Sequence, residues 1–352
     1  MSLNNINKAL ITIVTGILMI SCKSVGPKTL PADQFNFNTS ISEASNEQLL
    51  MNLIRLRYNE PPVFLKVSSV INQYTRAGGV DARAGLNNAV PTGANSAVVG
   101  ANYAWSNTPT TTYIPISGRE FSTNLLVPLP PATLLSMIQA GWPIDLVLDI
   151  TTFSINGIRD NISRPSARRE ADNQFFELLE LWNKLNRAGI LGTRKEDKDF
   201  LFFQENFPKE YEEDVAQFKK LLSLEAELNE YTISYGVIQK SSSEITVLSG
   251  SIWEIMLNLA WQFGVPEEHI ESGRTKVAFR PAYRNEVPPL NIRYSKEKPE
   301  RKFISVFLHD YWFYIDVDDM RTKRNFSFLQ LLLNLAENTT NAQAPVVTVP
   351  TN

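Results

Sequence analysis

Few side chains in this sequence have the chemistry of a catalytic or metal-binding group. The chain of 352 residues contains one cysteine, Cys22, and two histidines, His269 and His309. Neither histidine lies at the spacing that is typical of a metal site or of a hydrolase nucleophile. The acidic segment Glu267–Glu271 is most simply a solvated loop or a helix start. The sequence therefore predicts no catalytic residue and no cofactor.

Three aspartates, Asp316, Asp318 and Asp319, follow a predicted strand. Their oxygens are ligands that suit Mg²⁺ or Ca²⁺, but no glycine or bidentate glutamate completes a known binding loop. The alternative is that Asp318 and Asp319 cap the following turn. Trp312 and Tyr314 share a strand face with Asp316, which would suit stacking on a sugar or burial under a second layer. No metal site is predicted here.

Three arginines, Arg164, Arg168 and Arg169, form the clearest cationic group. The segment Ser163–Arg169, with Pro165 in its first turn, predicts the start of a long helix that ends near Gly189. Amide groups and cations that converge at a helix start can hold a phosphate or sulfate. The alternative is a solvated cap, because cations are mildly unfavourable at a helix N-terminus without a ligand.

A glycine- and alanine-rich stretch at residues 76–118 contains the aromatic residues Tyr103, Trp105 and Tyr113. Two strands are predicted in it, Ser96–Ser106 and Thr110–Ser117, separated by a break at Asn107–Pro109. One interpretation is a long hairpin on the body of the protein. The other is an arm that adds strands to a partner sheet or to copies of itself, with the three aromatics as its contacts.

The N-terminus has the pattern of an export signal. Lys8 precedes the apolar run Ala9–Ile20, which is too short to span a membrane as a helix. Ser21 and Cys22 follow the run directly, and this arrangement resembles the lipobox of bacterial lipoproteins. The resemblance implies cleavage before Cys22 and acylation of that residue, and such an anchor with two or more acyl chains is effectively permanent.

The same resemblance suggests where in the cell the protein is located. Lys23 stands where an aspartate would be an inner-membrane retention signal in many bacteria, so we expect the outer membrane. Acidic residues do not follow Cys22 as they do in some surface-export signals, so we expect the periplasmic face. A net charge of −3 argues against nucleic acid as a partner. With one cysteine the chain has no internal disulfide, so the stability of an exported body must come from its core.

The pattern of elements predicts an α+β fold, in which buried helices pack on a mixed or antiparallel sheet. A capping box at Ser45 predicts a helix to Arg57. Two strand–strand–helix units are predicted in the C-terminal third, the first strand pair being a hairpin over Thr232–Leu248. We expect the following regions: a signal peptide (1–21), a lipidated tether (22–40), an N-terminal α+β region (41–162), a helical segment (163–230) and a C-terminal α+β region (231–352).

A wider resemblance covers most of the chain beyond Cys22. The segments Glu47–Leu65, Pro128–Trp142, Gly264–Gly273 and Trp312–Phe328 resemble a family of uncharacterised Gram-negative envelope lipoproteins that has no assigned activity. Two hypotheses follow. The first is a lipid-anchored, non-catalytic component that binds another envelope protein or itself. The second is an envelope hydrolase or glycan-binding lipoprotein that uses the face from Asp316 to Asp319.

Overall fold

The computed structural model describes residues 30–85, 96–164, 167–279 and 287–337. The chain divides into two compact units, residues 1–46 and 47–352. Helix α1 (Leu30–Arg57) begins in the first unit, with Pro31 in its first turn, where the fixed φ of proline suits a helix start. Residues 30–40 are therefore helical rather than part of a tether. Ser45 lies inside α1, so the predicted capping box does not form.

The second unit has an α+β fold, as the sequence predicts. Its buried apolar side chains form a single cluster, to which helices and strands both contribute. Most of the described helices are short, and four of them have ten residues or more. The helices that follow α1 are α2 (Gly118–Phe121), a π-helical turn (Ser122–Leu126), α3 (Pro131–Gln139), α4 (Ile144–Thr151), α5 (Asn173–Arg187), a 3₁₀ turn (Lys209–Tyr211), α6 (Glu212–Leu221), α7 (Ile252–Ala260), α8 (Glu267–Glu271) and α9 (Met320–Glu337).

The central sheet has six strands in the order β4-β3-β10-β9-β8-β7. Its neighbouring strands are antiparallel except for β9 and β10, so the sheet is mixed. Helix α3 packs on β7, β9 and β10, and α5 packs on β4 and β7. The strands are β3 (Thr152–Ile155), β4 (Ile158–Arg159), β7 (Leu191–Lys195), β8 (Asp199–Phe203), β9 (Glu230–Tyr235) and β10 (Glu244–Ser249), and the intervening pair β5 (Ile162–Arg164) and β6 (Ala167–Arg169) forms a separate ribbon.

The predicted hairpin between β9 and β10 is wrong, because the two strands are parallel, with Thr232 beside Glu244. The eight residues between them return the chain to the start of β9. The carboxylate of Glu244 organises this crossover: it accepts hydrogen bonds from Ser234 Oγ at 2.6 Å and from the backbone N–H of Lys240 at 2.9 Å. These hydrogen bonds hold the connection between the two parallel strands in place.

In the C-terminal third, Ser251–Glu254 has the pattern of a capping box and His309–Asp310 that of a hairpin turn, and the structure confirms both. Ser251 and Glu254 form a full capping box at the start of α7. Strand β12 (Ile304–Leu308) pairs antiparallel with β13 (Tyr311–Ile315) across the turn at His309 and Asp310, whose φ angles are 52° and 64°. Each strand pair is followed by a helix, α7 or α9, so the predicted element order holds although the first pair is parallel. The short strand β11 (Arg293–Ser295) completes this three-stranded sheet.

Three further segments have patterns that can be compared with the structure. The apolar run at residues 145–155 suits a strand or a helix by its pattern, and it contains both, α4 and β3. The charge-rich pattern of residues 212–228 predicts a surface helix, which in the structure ends at Leu221. Residues 345–350, whose prolines predict an edge strand, lie outside the described residues.

Candidate functional site

A long two-stranded ribbon is the most unusual feature of the second unit. Strand β1 (Leu65–Gly85) pairs antiparallel with β2 (Ser96–Pro115) in one register that is shifted once, between Val67 and Ser69. At about 3.3 Å per residue the ribbon is roughly 65 Å long. In the described sheets, β1 and β2 pair only with each other. Each strand therefore has one edge of backbone groups that no other described strand covers, which makes the ribbon a template for further strand pairing.

The predicted break within this region does not occur. Asn107 and Pro109 lie inside β2, opposite Tyr74 and Asn72 of β1. Proline is tolerated at this position because β2 is an edge strand, where the missing N–H faces no neighbouring strand. The two predicted strands are therefore one strand, and its partner is β1, which begins at Leu65.

The predicted contact residues of the arm all lie on β2. Tyr103 is opposite Gly78, Trp105 is opposite Arg76, and Tyr113 is opposite Val67. Tyr113, near the base of the ribbon, is half exposed, whereas the side chains of Tyr103 and Trp105 lie outside what the structure describes. The structure thus places these three residues along a single strand of the ribbon.

Two side-chain amides on α1 hold the base of the ribbon. The Asn52 amide donates to the carbonyl of Val63 at 2.8 Å and accepts from its N–H at 2.9 Å. One turn earlier, Gln48 makes the same pair of hydrogen bonds with Leu65, at 3.2 and 2.8 Å. The amides thus act as strand-like partners for an extended segment. Gln48 and Asn52 thus fix where the ribbon leaves the body.

The opposite side of the ribbon base is held by backbone contacts. The N–H of Ile116 donates to the carbonyl of Phe64 at 2.9 Å. The ring of Phe64 packs on Phe121 of α2, and Phe121 packs on Trp253 of α7. This chain of aromatic contacts connects the ribbon base to the capped helix in the core. The inner end of the ribbon is therefore part of the folded body.

The arginine group is not at a helix start. Arg164 lies in β5, and Arg168 and Arg169 lie in β6, while the helix begins later, at Asn173. Arginine before proline favours an extended backbone, and the pair Arg164–Pro165 carries this signal. The guanidinium of Arg169 donates to the carbonyl of Asp160 at 2.9 Å, and burial lowers its pKa.

Two further hydrogen bonds hold this short ribbon in place. Arg168 is exposed and makes a 3.4 Å contact with the carbonyl of Val277. The backbone N–H of Ser163, between these arginines and the core, donates to Asn258 Oδ1 of α7 at 2.7 Å. These hydrogen bonds hold the short ribbon against α7. The helix start predicted at Ser163–Arg169 is therefore wrong, and the three arginines do not lie at a helix N-terminus.

The three aspartates are engaged by neighbouring protein groups. Asp319 accepts from the N–H of Thr322 at 3.0 Å and from its hydroxyl at 2.8 Å, as a cap of α9 does. Asp316 pairs with Arg293 at 3.0 Å, and Asp318 pairs with Arg301. Across the described residues, no group of three or more histidine, cysteine, aspartate or glutamate side chains is placed to hold a metal ion.

Both histidines converge on Tyr58, directly after α1, and sequence spacing gave no sign of this. The Tyr58 hydroxyl lies 2.6 Å from His269 Nδ1, and the ring of His309 lies 4.5 Å from the Tyr58 ring. His309 Nε2 is 3.0 Å from Glu60 Oε1, an ion-pair distance without hydrogen-bond geometry. Tyr311 adds an edge contact to the His269 ring at 5.4 Å.

Burial sets the protonation of this cluster. It raises the pKa of Tyr58 and lowers the pKa of His269, so the phenol keeps its proton and the imidazole stays neutral. The Tyr58 hydroxyl and His269 Nδ1 then share one hydrogen bond, whose direction depends on the tautomer of the imidazole. Both side chains are almost inaccessible to solvent, at 6% and 2% exposure. A substrate in solution therefore does not reach this pair. The contacts of Tyr58 instead connect the end of α1 with α8 and the β12–β13 turn inside the protein.

Arg57 supplies a second buried connection from the end of α1. Its guanidinium donates to the carbonyls of Phe263 at 3.2 Å and Lys276 at 2.6 Å, and to the hydroxyl of Thr275 at 2.5 Å. It also lies over the ring of Trp261, 4.7 Å from the centroid. Burial lowers the pKa of Arg57 to about 10, so it stays charged at neutral pH.

Comparison with protein-family models, with curated proteins and with solved structures finds no match for this chain. Within the described part of the chain, no helix combines the length and apolar character needed to cross a bilayer. Cys22 lies outside the described residues.

Proposed function

We propose that this protein is a lipid-anchored, non-catalytic component of an outer-membrane assembly, and that the β1–β2 ribbon is its assembly arm. The observation that carries the proposal is the ribbon itself, some twenty residues long, with two strand edges that no described strand covers. Such edges bind further strands through main-chain hydrogen bonds. The partner is a second copy of the chain or another envelope protein.

The proposed anchor is an acylated Cys22 on the periplasmic face of the outer membrane. Its support is the apolar run that ends at Ile20, followed by Ser21 and the single cysteine of the chain. Two or more acyl chains would hold the protein at the membrane permanently. We expect a fatty-acid analogue to label the wild type and not Cys22→Ala, and the variant to leave the membrane fraction. Equal labelling of both would contradict the anchor.

The arm is tested by shortening the ribbon at a register position. Gln73 is opposite Thr108, so replacing residues 74–107 by Asn-Gly joins two paired residues through a favoured two-residue turn. Because the ribbon base is held by Gln48 and Asn52, the shortened protein should fold and stay anchored. We expect it to be lost from the larger detergent-stable complex that contains the wild type.

The matched control replaces only residues 86–95 by a Gly/Ser segment of equal length. This variant keeps both strands and should still enter the complex. Failure of the shortened variant to fold would assign the outer ribbon to the folding core. A complex of unchanged size with the shortened variant would contradict the assembly role.

A further inference from the structure

The outer half of the ribbon, residues 77–85 and 96–104, has two faces of different composition. Paired residues share a face of a sheet, and successive residues alternate between faces. One face holds only apolar residues at three successive pairs of this type, which are Val80 with Ala101, Ala82 with Val99, and Ala84 with Ala97.

The alternate pairs of the outer ribbon hold all of its charged residues. Beyond the pair of Ala77 and Ala104, each of these pairs contains a polar residue: Gly79 with Asn102, Asp81 with Gly100, Arg83 with Val98, and Gly85 with Ser96. The β-strands of transmembrane sheets show this same alternation, with apolar residues toward lipid and polar residues toward a water-filled interior. A two-stranded ribbon alone has no second layer that could remove this apolar face from water. The pattern therefore favours a nonpolar surrounding that covers the face.

Aromatic residues mark the inner limit of the apolar face. Tyr103, Trp105 and Tyr74 follow it at successive pairs on the same face, opposite Gly78, Arg76 and Asn107. Tyrosine and tryptophan concentrate at the boundary between hydrocarbon and water, because each has an apolar ring with a polar group. The outer ribbon thus has the order expected of a strand pair that enters a bilayer: an aromatic band, then an apolar face.

The length of the outer ribbon favours a lipid bilayer as the covering medium. Each strand has nine residues beyond the pair of Arg76 and Trp105. A β-strand that crosses a bilayer needs about 9–11 residues at a tilt of about 45°. The proposed acyl anchor at Cys22 would hold the ribbon close to such a membrane.

Backbone groups at the two ribbon edges require further strands in that medium. Hydrocarbon supplies no hydrogen-bond partners, so unpaired edges are not tolerated there. A second copy of the chain offers the same two edges and the same face pattern. Ribbons from several copies, paired edge to edge in a ring, leave no edge unpaired.

Building on the assembly role proposed above, we infer that the outer ribbons of several copies form one closed sheet within the hydrocarbon of the outer membrane. The face of Val99 lies against lipid acyl chains, and the face of Arg83 and Asp81 lines an aqueous interior. The chain then has two membrane attachments, an acyl anchor and a strand pair. The ring would connect the two sides of the membrane.

The test compares two adjacent residues on opposite faces. Val99→Cys and Val98→Cys, each in the full-length chain, are labelled with a fluorophore and reconstituted into phosphatidylcholine/phosphatidylglycerol vesicles. The wild type is the labelling control, because an acylated Cys22 has no free thiol. We expect a nitroxide-bearing lipid to quench the label at residue 99 several-fold more strongly than the label at 98. Aqueous iodide should give the reverse order.

Three outcomes would overturn the inference. The first is iodide quenching at both residues, and the second is equal quenching of both by the nitroxide lipid. The third is a monomeric chain whose label at 99 is in lipid, which would exclude pairing between copies. A detergent-stable assembly with both labels in water would leave the assembly role standing and remove the membrane insertion.

A charge substitution provides a second, independent measurement. Val99→Asp should abolish the membrane-stable oligomer, whereas Val98→Asp should retain it, because only the first places a carboxylate in hydrocarbon. The melting temperature of each variant checks that the body is folded. Equal retention of the oligomer by both variants would contradict the assignment of faces.

Discussion

The amide pair on α1 gives a sharp test of how the ribbon base is held. Asn52 and Gln48 lie one turn apart and make the same two hydrogen bonds to an extended segment, at Val63 and Leu65. They differ in burial: Asn52 is only 1% exposed, whereas the Gln48 pair is open to solvent. Replacing each by leucine removes the same two hydrogen bonds, from a buried side chain in one case and from a solvent-exposed pair in the other.

The expected loss of unfolding free energy depends on whether water can replace the lost hydrogen bonds. In Asn52→Leu one N–H and one carbonyl lose their partner, at about 1–3 kcal/mol each when buried. Val63 is itself 45% exposed, which lets water recover part of this, so we expect a net loss of about 2–4 kcal/mol. In Gln48→Leu water takes over both bonds, and we expect a loss of about 0.5–1 kcal/mol.

The assay is urea unfolding of the two variants and the wild type. Both leucine variants should lower the denaturation midpoint without changing the slope. Equal losses for Asn52→Leu and Gln48→Leu would refute the role assigned to burial.

Three further predictions concern the body of the protein. Leu259→Asp should unfold it, since Leu259 is 2% exposed and an unpaired charge in a core costs several kcal/mol; a melting curve like that of the wild type would contradict this. Gly250→Ala should cost about 1–3 kcal/mol, because its Cβ would lie 2.7 Å from the ring of Phe153, while Gly236→Ala, with open space around it, should be near neutral in the same denaturation assay. Burial lowers the pKa of His269, so the unfolded chain binds the proton first as pH falls, and the stability advantage of the wild type over His269→Gln should be complete above about pH 6.5 and shrink below it. A difference in unfolding free energy that stays constant from about pH 8 to 5 would contradict this assignment.

Features set by neighbouring residues could be predicted from the sequence. The capping box of Ser251 and Glu254 forms because its four residues carry all of its hydrogen bonds. Two other features also depend only on neighbouring residues: the turn at His309 and Asp310, and the helix end at Gly141, whose φ is 96°. The α+β class follows from many such signals together.

Features that involve distant residues are not predicted by the sequence patterns. The arginine-rich segment pairs as two strands, and Asn258, far along the chain, binds the backbone of Ser163. Strand β10 is parallel to β9, and Glu244 holds the loop between them. The start of α1 at Leu30 is a different case, because the proline in its first turn is a local signal for it.

The candidate site likewise combines features that the sequence predicts with contacts that it does not reveal. Aromatic and small residues predicted an arm, and the ribbon confirms that this stretch is β-structure, while its pairing with the segment from Leu65 was not expected. The contact between Tyr58 and His269 joins residues 211 positions apart, so no spacing rule could find it. Whether the arm assembles copies of the chain remains a prediction for experiment.

Native mass spectrometry of the full chain, extracted from the outer membrane in detergent, tests the central claim most directly. The mass of each protomer reports the acyl groups on Cys22, and the mass of the complex reports the number of copies. We predict an acylated protomer that begins at Cys22 and a complex with several copies, which the chain with residues 74–107 replaced by Asn-Gly does not form. An unacylated or strictly monomeric wild type with no bound partner would contradict the account.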